Sequence, residues 1–471
     1  MEDLDLNGLW WIPGNEDETV AGNLQFKMRD SINLNLNGSF KSFEELNNYS
    51  QYDVILGVTS NGKKVSLINC FESNSSISFP GYASVSYRAS YLLIGVHLNT
   101  LEDMAFERYY ISFSNLAEWT RSSGLSRREE YYPDHTFKKL DVTYEFPEVK
   151  EIAKVNNTKI SLHYTFHTTG DSVSNLNLKQ KTYIKLDNDS VINFNDFMKI
   201  YLYNIQNFLC LAIGTPTFPM EIKASSERFS QELNGKVFRD QISIYYSNSN
   251  IPINLEHKDT HQMALPYQYI KDDLNMILSN WFNKYELLNP VFDLYFGTMY
   301  NSSMYIQHRF SSLIQAIESY HRRVYGGKYL EEEQYEELTN QITFIINENL
   351  TGDLKNIFTQ KLSHLNELSL RRRLKDIIEI HKEIISPFIQ LQKGFINSVT
   401  NTRNYLTHFD EGLENRAKKG KELIDLCEVL KFLLEISLMT EIGVSKESII
   451  KNISHSQKYS RIKSIKSLQE L

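Results

Sequence analysis

Residues 54–68 have the sequence VILGVTSNGKKVSLI, and this stretch indicates how the first half of the chain folds. Two apolar runs of strand length flank a short polar segment that contains Asn61 and Gly62. An Asn-Gly pair tolerates the positive φ angles that tight hairpin turns require. The stretch therefore predicts a β-hairpin with strands at residues 54–58 and 65–68.

Strand patterns recur on both sides of this hairpin. Residues 24–28 and 32–37 alternate apolar and polar side chains, with the period of two that is typical of half-buried strands. Further strand-like runs, separated by polar turns, lie at residues 84–87, 91–96, 109–113, 159–166 and 181–186. Many short strands of this kind favour a β-sandwich or a barrel-like domain.

One segment of this β-rich half has a helical pattern. Apolar residues recur at helical spacing over residues 191–213, and Asn193 or Asn195 could cap the helix. A Gly- and Pro-containing break follows at residues 214–219. Strands are expected again around residue 222 and at residues 237–246.

Helical periodicity takes over near residue 270, where Pro and Gly become scarce. Predicted helices span residues 274–288, 302–324, 331–348, 354–367, 370–385, 387–406 and 416–440. The short polar connections between them favour antiparallel neighbours in a bundle. The sequence therefore predicts an α+β chain in two parts: a β-rich, sandwich- or barrel-like region at 1–260 and an all-α bundle at 270–471.

Charge and cysteine content narrow the function classes. The 471 residues carry a net charge of −8, with a pI of about 5.9, which argues against a protein that coats nucleic acid non-specifically. An enzyme that contacts only a few phosphates remains compatible with this charge. Cys70, Cys210 and Cys427 are widely separated, so neither a disulfide framework nor a zinc finger is expected. With no signal peptide or membrane-spanning run in the sequence, the predicted location is the cytoplasm.

The residues best suited to chemistry lie in the segment RNYLTH at 403–408. On an α-helix Asn404 and His408 would lie about 40° apart on one face, with Arg403 at the edge of that arc. An arginine can hold a phosphate through paired hydrogen bonds, and a histidine can transfer protons near neutral pH. The spacing alone is not specific, because a solvated helix face or an interface histidine also explains it.

Other candidate sites have simple structural explanations. Arg128 to His135 is a looser match to the same spacing, but Pro133 interrupts it. His163 and His167 share one face of a predicted strand without a third ligand, so no metal site is expected there. Residues 318–323 (ESYHRR) could line a cleft and residues 371–373 (RRR) could steer RNA, although a solvated charged surface is the simpler explanation for both.

The pattern Arg403-Asn404-x-x-x-His408 resembles the R-N-x-x-x-H signature of HEPN ribonucleases. Over nearly its full length the chain also resembles the ApeA family of bacterial anti-phage abortive-infection proteins, in which a β-rich N-terminal domain precedes a HEPN domain. The opening GLWWIP at residues 8–13, with GNL at 22–24, is similar to the start of the ApeA N-terminal domain.

This resemblance implies a metal-independent endoribonuclease that needs no cofactor. His408 would be the acid/base residue, Arg403 would contact the phosphate and the transition state, and Asn404 would orient the neighbouring groups. The RNA 2′-OH would attack at a cleft shared by two subunits of a homodimer, or of a larger assembly of dimers. The implied partners are cellular RNA, with tRNA as one candidate, and a phage-derived trigger sensed by the β-rich region.

A second interpretation assigns no catalysis to the chain. It would be a dimeric interaction protein whose β-rich domain binds a ligand or another protein. The intact Arg403, Asn404 and His408 favour the enzyme.

Overall fold

The computed structural model describes residues 2–42, 48–78, 80–171, 173–233, 235–391 and 393–465. The chain divides into two compact units, Met1–Ser279 and Asn280–Leu471. The first unit is rich in β-strands and the second is helical, which confirms the predicted α+β fold class.

The first unit contains a large antiparallel sheet and two separate two-stranded hairpins. Its described strands are β1 (Leu4–Trp11), β2 (Val20–Phe26), β3 (Ile32–Leu36), β4 (Gln51–Thr59), β5 (Lys64–Ile77), β6 (Ala83–Ile94), β7 (Ala105–Phe113), β8 (Leu125–Tyr131), β9 (Phe137–Tyr144), β10 (Lys150–Val155), β11 (Thr158–Gly170), β12 (Leu176–Asn193), β13 (Pro219–Ser225), β14 (Ser230–Leu233), β15 (Lys236–Arg239) and β16 (Ile242–Tyr245).

The large sheet closes on itself at one end. Strands β6, β3, β2, β1, β4 and β5 lie side by side in that order, and the last strand, β5, pairs with the first, β6. This closure forms a barrel, one of the two architectures that the sequence predicts. Strands β16, β13, β7, β12, β11 and β10 continue the sheet outward from β6, whereas β8–β9 and β14–β15 form the separate hairpins.

The β4–β5 hairpin confirms the prediction for residues 54–68. Leu56 lies opposite Ser66, and Gly57 lies opposite Val65. In the turn, Gly62 adopts a φ of 79°. Glycine has no side chain that opposes this left-handed conformation, so the two strands can be joined tightly.

Trp10 packs over the two strands that flank β1. Its side chain is fully buried, and its indole nitrogen donates a hydrogen bond to the carbonyl oxygen of Gly22 at 3.2 Å. A β-carbon at Gly57 would lie only 2.3 Å from Cε3 of the indole. Position 57 therefore requires glycine for β4 to pair closely with β1.

The helix predicted at residues 191–213 begins later than expected, because β12 continues through Asn193. The Asn193 side chain then caps the helix by accepting a hydrogen bond from the amide of Asp196 at 2.9 Å, as predicted for one of the two candidate caps. Phe197 opens a π-helical turn, and its ring stacks on that of Tyr109 with 3.8 Å between centroids. This stacking holds the wider turn against the sheet.

The helices in the β-rich unit are α1 (Leu116–Thr120), α2 (Phe194–Asp196), α3 (Tyr203–Ile213) and α4 (Tyr267–Ile270). The described helices that follow are α5 (Leu274–Tyr300), α6 (Ile306–Tyr325), α7 (Glu332–Asn349), α8 (Gly352–Leu362), α9 (Leu370–Ile380), α10 (Lys382–Ile385), α11 (Lys393–His408), α12 (Gly420–Glu441), α13 (Lys446–His455) and α14 (Ser460–Ser464).

Helix α5 extends beyond the predicted end at residue 288 and runs through Pro290 to Tyr300. A proline inside a helix removes one backbone hydrogen bond, which is why the sequence predicts an early end. The buried aromatic residues beyond it compensate for this loss: Phe292 stacks on Trp281 with 4.5 Å between ring centroids.

The single helix predicted at residues 370–385 is interrupted at His381, which separates α9 from α10. The His381 ring is buried, and its Nε2 lies 3.2 Å from the hydroxyl oxygen of Ser437 on α12. Burial lowers the pKa of His381 to about 4. The next helix, α11, begins at Lys393 rather than at residue 387, because the turns around the buried Ile389 precede it.

Candidate functional site

All three predicted catalytic residues lie near the C-terminal end of α11. Arg403 and Asn404 are half-buried, whereas His408 is the last residue of the helix and is exposed. Asn404 and His408 lie one helical turn apart, about 6 Å along the axis. The structure thus brings a guanidinium, an amide and an imidazole to one end of one helix.

The inner face of α11 is fixed by packing and by one backbone contact. Phe395 and Val399 are fully buried in the core of the helical unit. Thr402 is equally buried, and its hydroxyl oxygen accepts a hydrogen bond from the amide of Lys418 at 2.9 Å. This bond ties the connection between α11 and α12 to the residue that directly precedes the motif, a contact that the sequence pattern does not reveal.

Arg403 is held by its neighbour. Its Nη1 donates a hydrogen bond to the amide oxygen of Asn404 at 3.2 Å. A neutral amide orients the guanidinium and leaves its positive charge intact, whereas a carboxylate would neutralise that charge. Among the described residues, no carboxylate lies within ion-pair distance of Arg403, so its positive charge stays available for an anionic ligand.

The helix ends abruptly after His408. Phe409 has a φ of 51°, a left-handed conformation that is unusual for a residue with a bulky side chain. Its amide still donates to the carbonyl oxygen of Tyr405 at 2.6 Å, after which the chain turns away. The abrupt turn leaves the His408 imidazole at an open helix end, where a ligand can reach it.

Tyr405 and Leu406, the two large apolar residues inside the motif, are only half-buried. The ring of Tyr405 contacts Phe409 edge-on and lies 5.3 Å from the ammonium nitrogen of Lys419. Lys419 also pairs with Glu414 at 2.8 Å, and this contact raises the pKa of Lys419. Tyr405 and Leu406 therefore lie at the protein surface rather than in the core of the helical unit.

The basic segment 371–373 does not behave as one patch. Arg373 is buried and donates to the carbonyl oxygen of Leu368 at 2.9 Å. Arg372 is exposed and pairs with Asp376 at 2.9 Å. Arg371 is exposed and donates to the amide oxygen of Asn397 on α11. Only Arg371 is thus directed toward the helix that carries the motif.

The segment 318–323 on α6 is also largely engaged. His321 is buried between Arg373 and Asp376, and burial lowers its pKa. Arg322 pairs with Glu367 at 2.7 Å. These contacts explain the charged segment as part of the packing between α6 and α9.

The looser match at Arg128 to His135 lies on the β8–β9 hairpin, with His135 in the turn at a φ of 65°. His163 lies on β11, with its ring 5.2 Å from that of Tyr110, and burial lowers its pKa. Within the described part of the chain, no group of three or more His, Cys, Asp or Glu side chains is arranged to hold a metal ion. None of the described helices is both long and apolar enough to cross a membrane.

The model of the ApeA N-terminal domain 1 matches residues 5–281, which is more than half of the chain. The chain belongs to the ApeA family. A second model, of the ApeA-like HEPN domain, matches residues 311–448 and therefore includes the whole of α11. No curated protein and no solved structure matches the chain.

Membership of the ApeA family confirms the resemblance drawn from the sequence. HEPN domains are generally ribonucleases, and they typically act on RNA and form dimers. The HEPN domain of this ApeA-family chain therefore supports a defence-related, nuclease-like role.

Proposed function

We propose that this ApeA-family chain is a metal-independent endoribonuclease that cleaves cellular RNA during phage infection, with tRNA as one candidate substrate, and so causes abortive infection. One observation carries the proposal: Arg403, Asn404 and His408 are grouped at the exposed end of α11, inside the residues that match the HEPN model.

The chemistry follows from the side chains. The RNA 2′-oxygen attacks the adjacent phosphorus, and the bond to the 5′-oxygen breaks, which leaves a 2′,3′-cyclic phosphate and a 5′-hydroxyl end. His408 removes the proton from the 2′-OH or donates one to the departing 5′-oxygen. Arg403 stabilises the negative charge that develops on the non-bridging oxygens, and Asn404 holds its guanidinium in place.

We further propose that the active species is a homodimer, or a larger assembly of dimers. One motif supplies one histidine, whereas the reaction benefits from both a base and an acid. A two-fold axis beside α11 would bring a second His408 to the same cleft. Co-expressed chains carrying Arg403→Ala and His408→Ala should regain part of the activity in mixed dimers if the sites are shared. A strictly monomeric, active protein in light scattering would contradict this assignment.

We propose that residues 1–260 sense a phage-derived trigger and restrain the nuclease at 270–471. In the β-rich unit, the Arg128 to His135 match lies on a hairpin rather than on one helix face, which supports a regulatory rather than a catalytic role. Expression of residues 270–471 alone should arrest growth without infection. A folded, dimeric but inert fragment, together with RNA cleavage by the isolated first half, would overturn this division of labour.

The decisive experiment compares the purified wild type with His408→Ala on total RNA and on tRNA in the presence of EDTA. We expect the variant to lose about 10²–10⁴-fold in cleavage rate, because a positioned acid/base group contributes that much. Circular dichroism and thermal melting should show that the variant remains folded, since His408 is exposed. Cleavage of RNA at the same measurable rate by both proteins would refute the site, and cleavage that disappears in EDTA would refute metal independence. RNA that is left intact both by the wild type and by the fragment of residues 270–471 would favour the interaction protein.

A further inference from the structure

The outward face of α11 carries a row of polar residues that continues beyond the motif. Asn397, Asn401, Asn404 and His408 lie within about 60° of one another around the helix axis. The buried residues of α11 occupy the opposite side. The three asparagines are half-buried, so a ligand that reaches His408 can also contact the amides along the same face.

Two arginines meet this row in the same way. Arg403 donates to the amide oxygen of Asn404, and Arg371, which comes from α9, donates to the amide oxygen of Asn397. Both guanidiniums are oriented by a neutral group. The Arg371–Asn397 pair therefore has the same hydrogen bond as the Arg403–Asn404 pair and lies two helical turns closer to the start of α11.

Neighbouring cations are compensated by carboxylates instead. Arg372, next to Arg371 in sequence, pairs with Asp376 at 2.9 Å. Lys418 and Lys419 each pair with a glutamate at 2.8 Å. Among the residues that the structure describes, no carboxylate lies within ion-pair distance of Arg371, so its charge is free to bind an anion.

We propose that Arg371 and Asn397 form a second phosphate-binding position for an RNA strand that runs along α11 away from the cleavage site. This inference rests on the proposed ribonuclease function. The two Arg–Asn pairs are seven residues apart, which corresponds to about 10 Å along the helix. Phosphates of a stacked strand advance about 3.4 Å each, so Arg371 contacts a phosphate about three nucleotides from the scissile bond. Arg371 is thus a positioning residue that takes no part in proton transfer.

Binding is measured on the full-length chain with His408→Ala, which prevents turnover, using a fluorescein-labelled single-stranded RNA decamer and fluorescence anisotropy. Adding Arg371→Ala should weaken binding roughly tenfold, because a hydrogen bond to a charged group has about this effect. The slope of log K against log salt concentration should become shallower by about 0.7, the value for one lost phosphate contact to a single strand.

Two further variants make the test specific. Asn397→Asp keeps the shape of the side chain but gives Arg371 a carboxylate partner, so it should reproduce the shallower slope. Arg372→Ala removes another exposed charge from the same helix and should keep the parent's slope. The second phosphate position is overturned if the slope is unchanged in Arg371→Ala, or if Arg372→Ala loses as much affinity for the decamer as Arg371→Ala does.

The outcome is separable from that of the proposed function. If the wild type cleaves RNA but Arg371→Ala binds the decamer like its parent, only this inference fails. If the wild type does not cleave RNA and the His408→Ala parent shows no salt-dependent binding, both fail. The second position is supported if Arg371→Ala binds the decamer about tenfold more weakly with a shallower slope, if Asn397→Asp shows the same slope, and if Arg372→Ala shows neither change.

Discussion

The buried histidine between α9 and α10 should make the stability of the helical unit depend on pH. His381 is neutral in the folded protein at pH 7, because burial lowers its pKa from 6.5 to about 4. In the unfolded chain it regains its ordinary pKa. Between pH 6.5 and pH 4 the unfolded state therefore binds more protons than the folded state, and the free energy of unfolding falls as the pH falls.

The size of this effect follows from the two pKa values. The pKa of His381 differs by about 2.5 units between the unfolded and the folded state. At pH values below 4 this difference lowers the free energy of unfolding by about 3.4 kcal/mol. Between pH 7 and pH 5 the free energy of unfolding decreases by about 2 kcal/mol of this total. The loss stops growing below pH 4, where both states are protonated.

The perturbation that isolates this residue is His381→Gln, which keeps a polar group near Ser437 but cannot titrate. Urea unfolding of the wild type and the variant at pH 7 and pH 5 gives the difference in unfolding free energy at each pH. We expect the unfolding free energy of the wild type, relative to that of the variant, to decrease by about 2 kcal/mol from pH 7 to pH 5. Only the wild type has the histidine whose protonation favours the unfolded state. A difference that is the same at both pH values would refute the reasoning.

Three further outcomes follow from particular contacts. Asn404→Asp should lower kcat/KM for RNA about tenfold or more, since a carboxylate 3.2 Å from Arg403 would neutralise the charge that binds phosphate; cleavage at the wild-type rate would contradict this. Gly57→Ala should destabilise the β-rich unit by about 1–3 kcal/mol in urea unfolding, because its β-carbon would clash with Trp10; an unchanged midpoint would show that β4 can move aside. Asn193→Ala should cost about 1 kcal/mol, the usual contribution of a helix cap, and equal melting temperatures would argue that the cap is dispensable.

Local patterns in the sequence are sufficient to predict much of this molecule. The alternation around Asn61-Gly62 predicts the β4–β5 hairpin, because strand periodicity and turn residues act over a few positions. The cap at Asn193 and the helical placement of Arg403, Asn404 and His408 are local in the same sense. For these features, the residues that determine the structure are neighbours along the chain.

Closure of the barrel and the environment of each charged side chain depend instead on contacts between distant residues. The pairing of β5 with β6 closes the barrel, and no periodicity within either strand indicates which strands become neighbours. Positions 371 to 373 are all arginine, yet their environments differ. Arg371 faces α11, Arg372 pairs with a carboxylate, and Arg373 is buried. Burial and partner choice arise from the packing of α6, α9 and α11, so only the tertiary structure decides which of the three arginines keeps a free charge that faces α11.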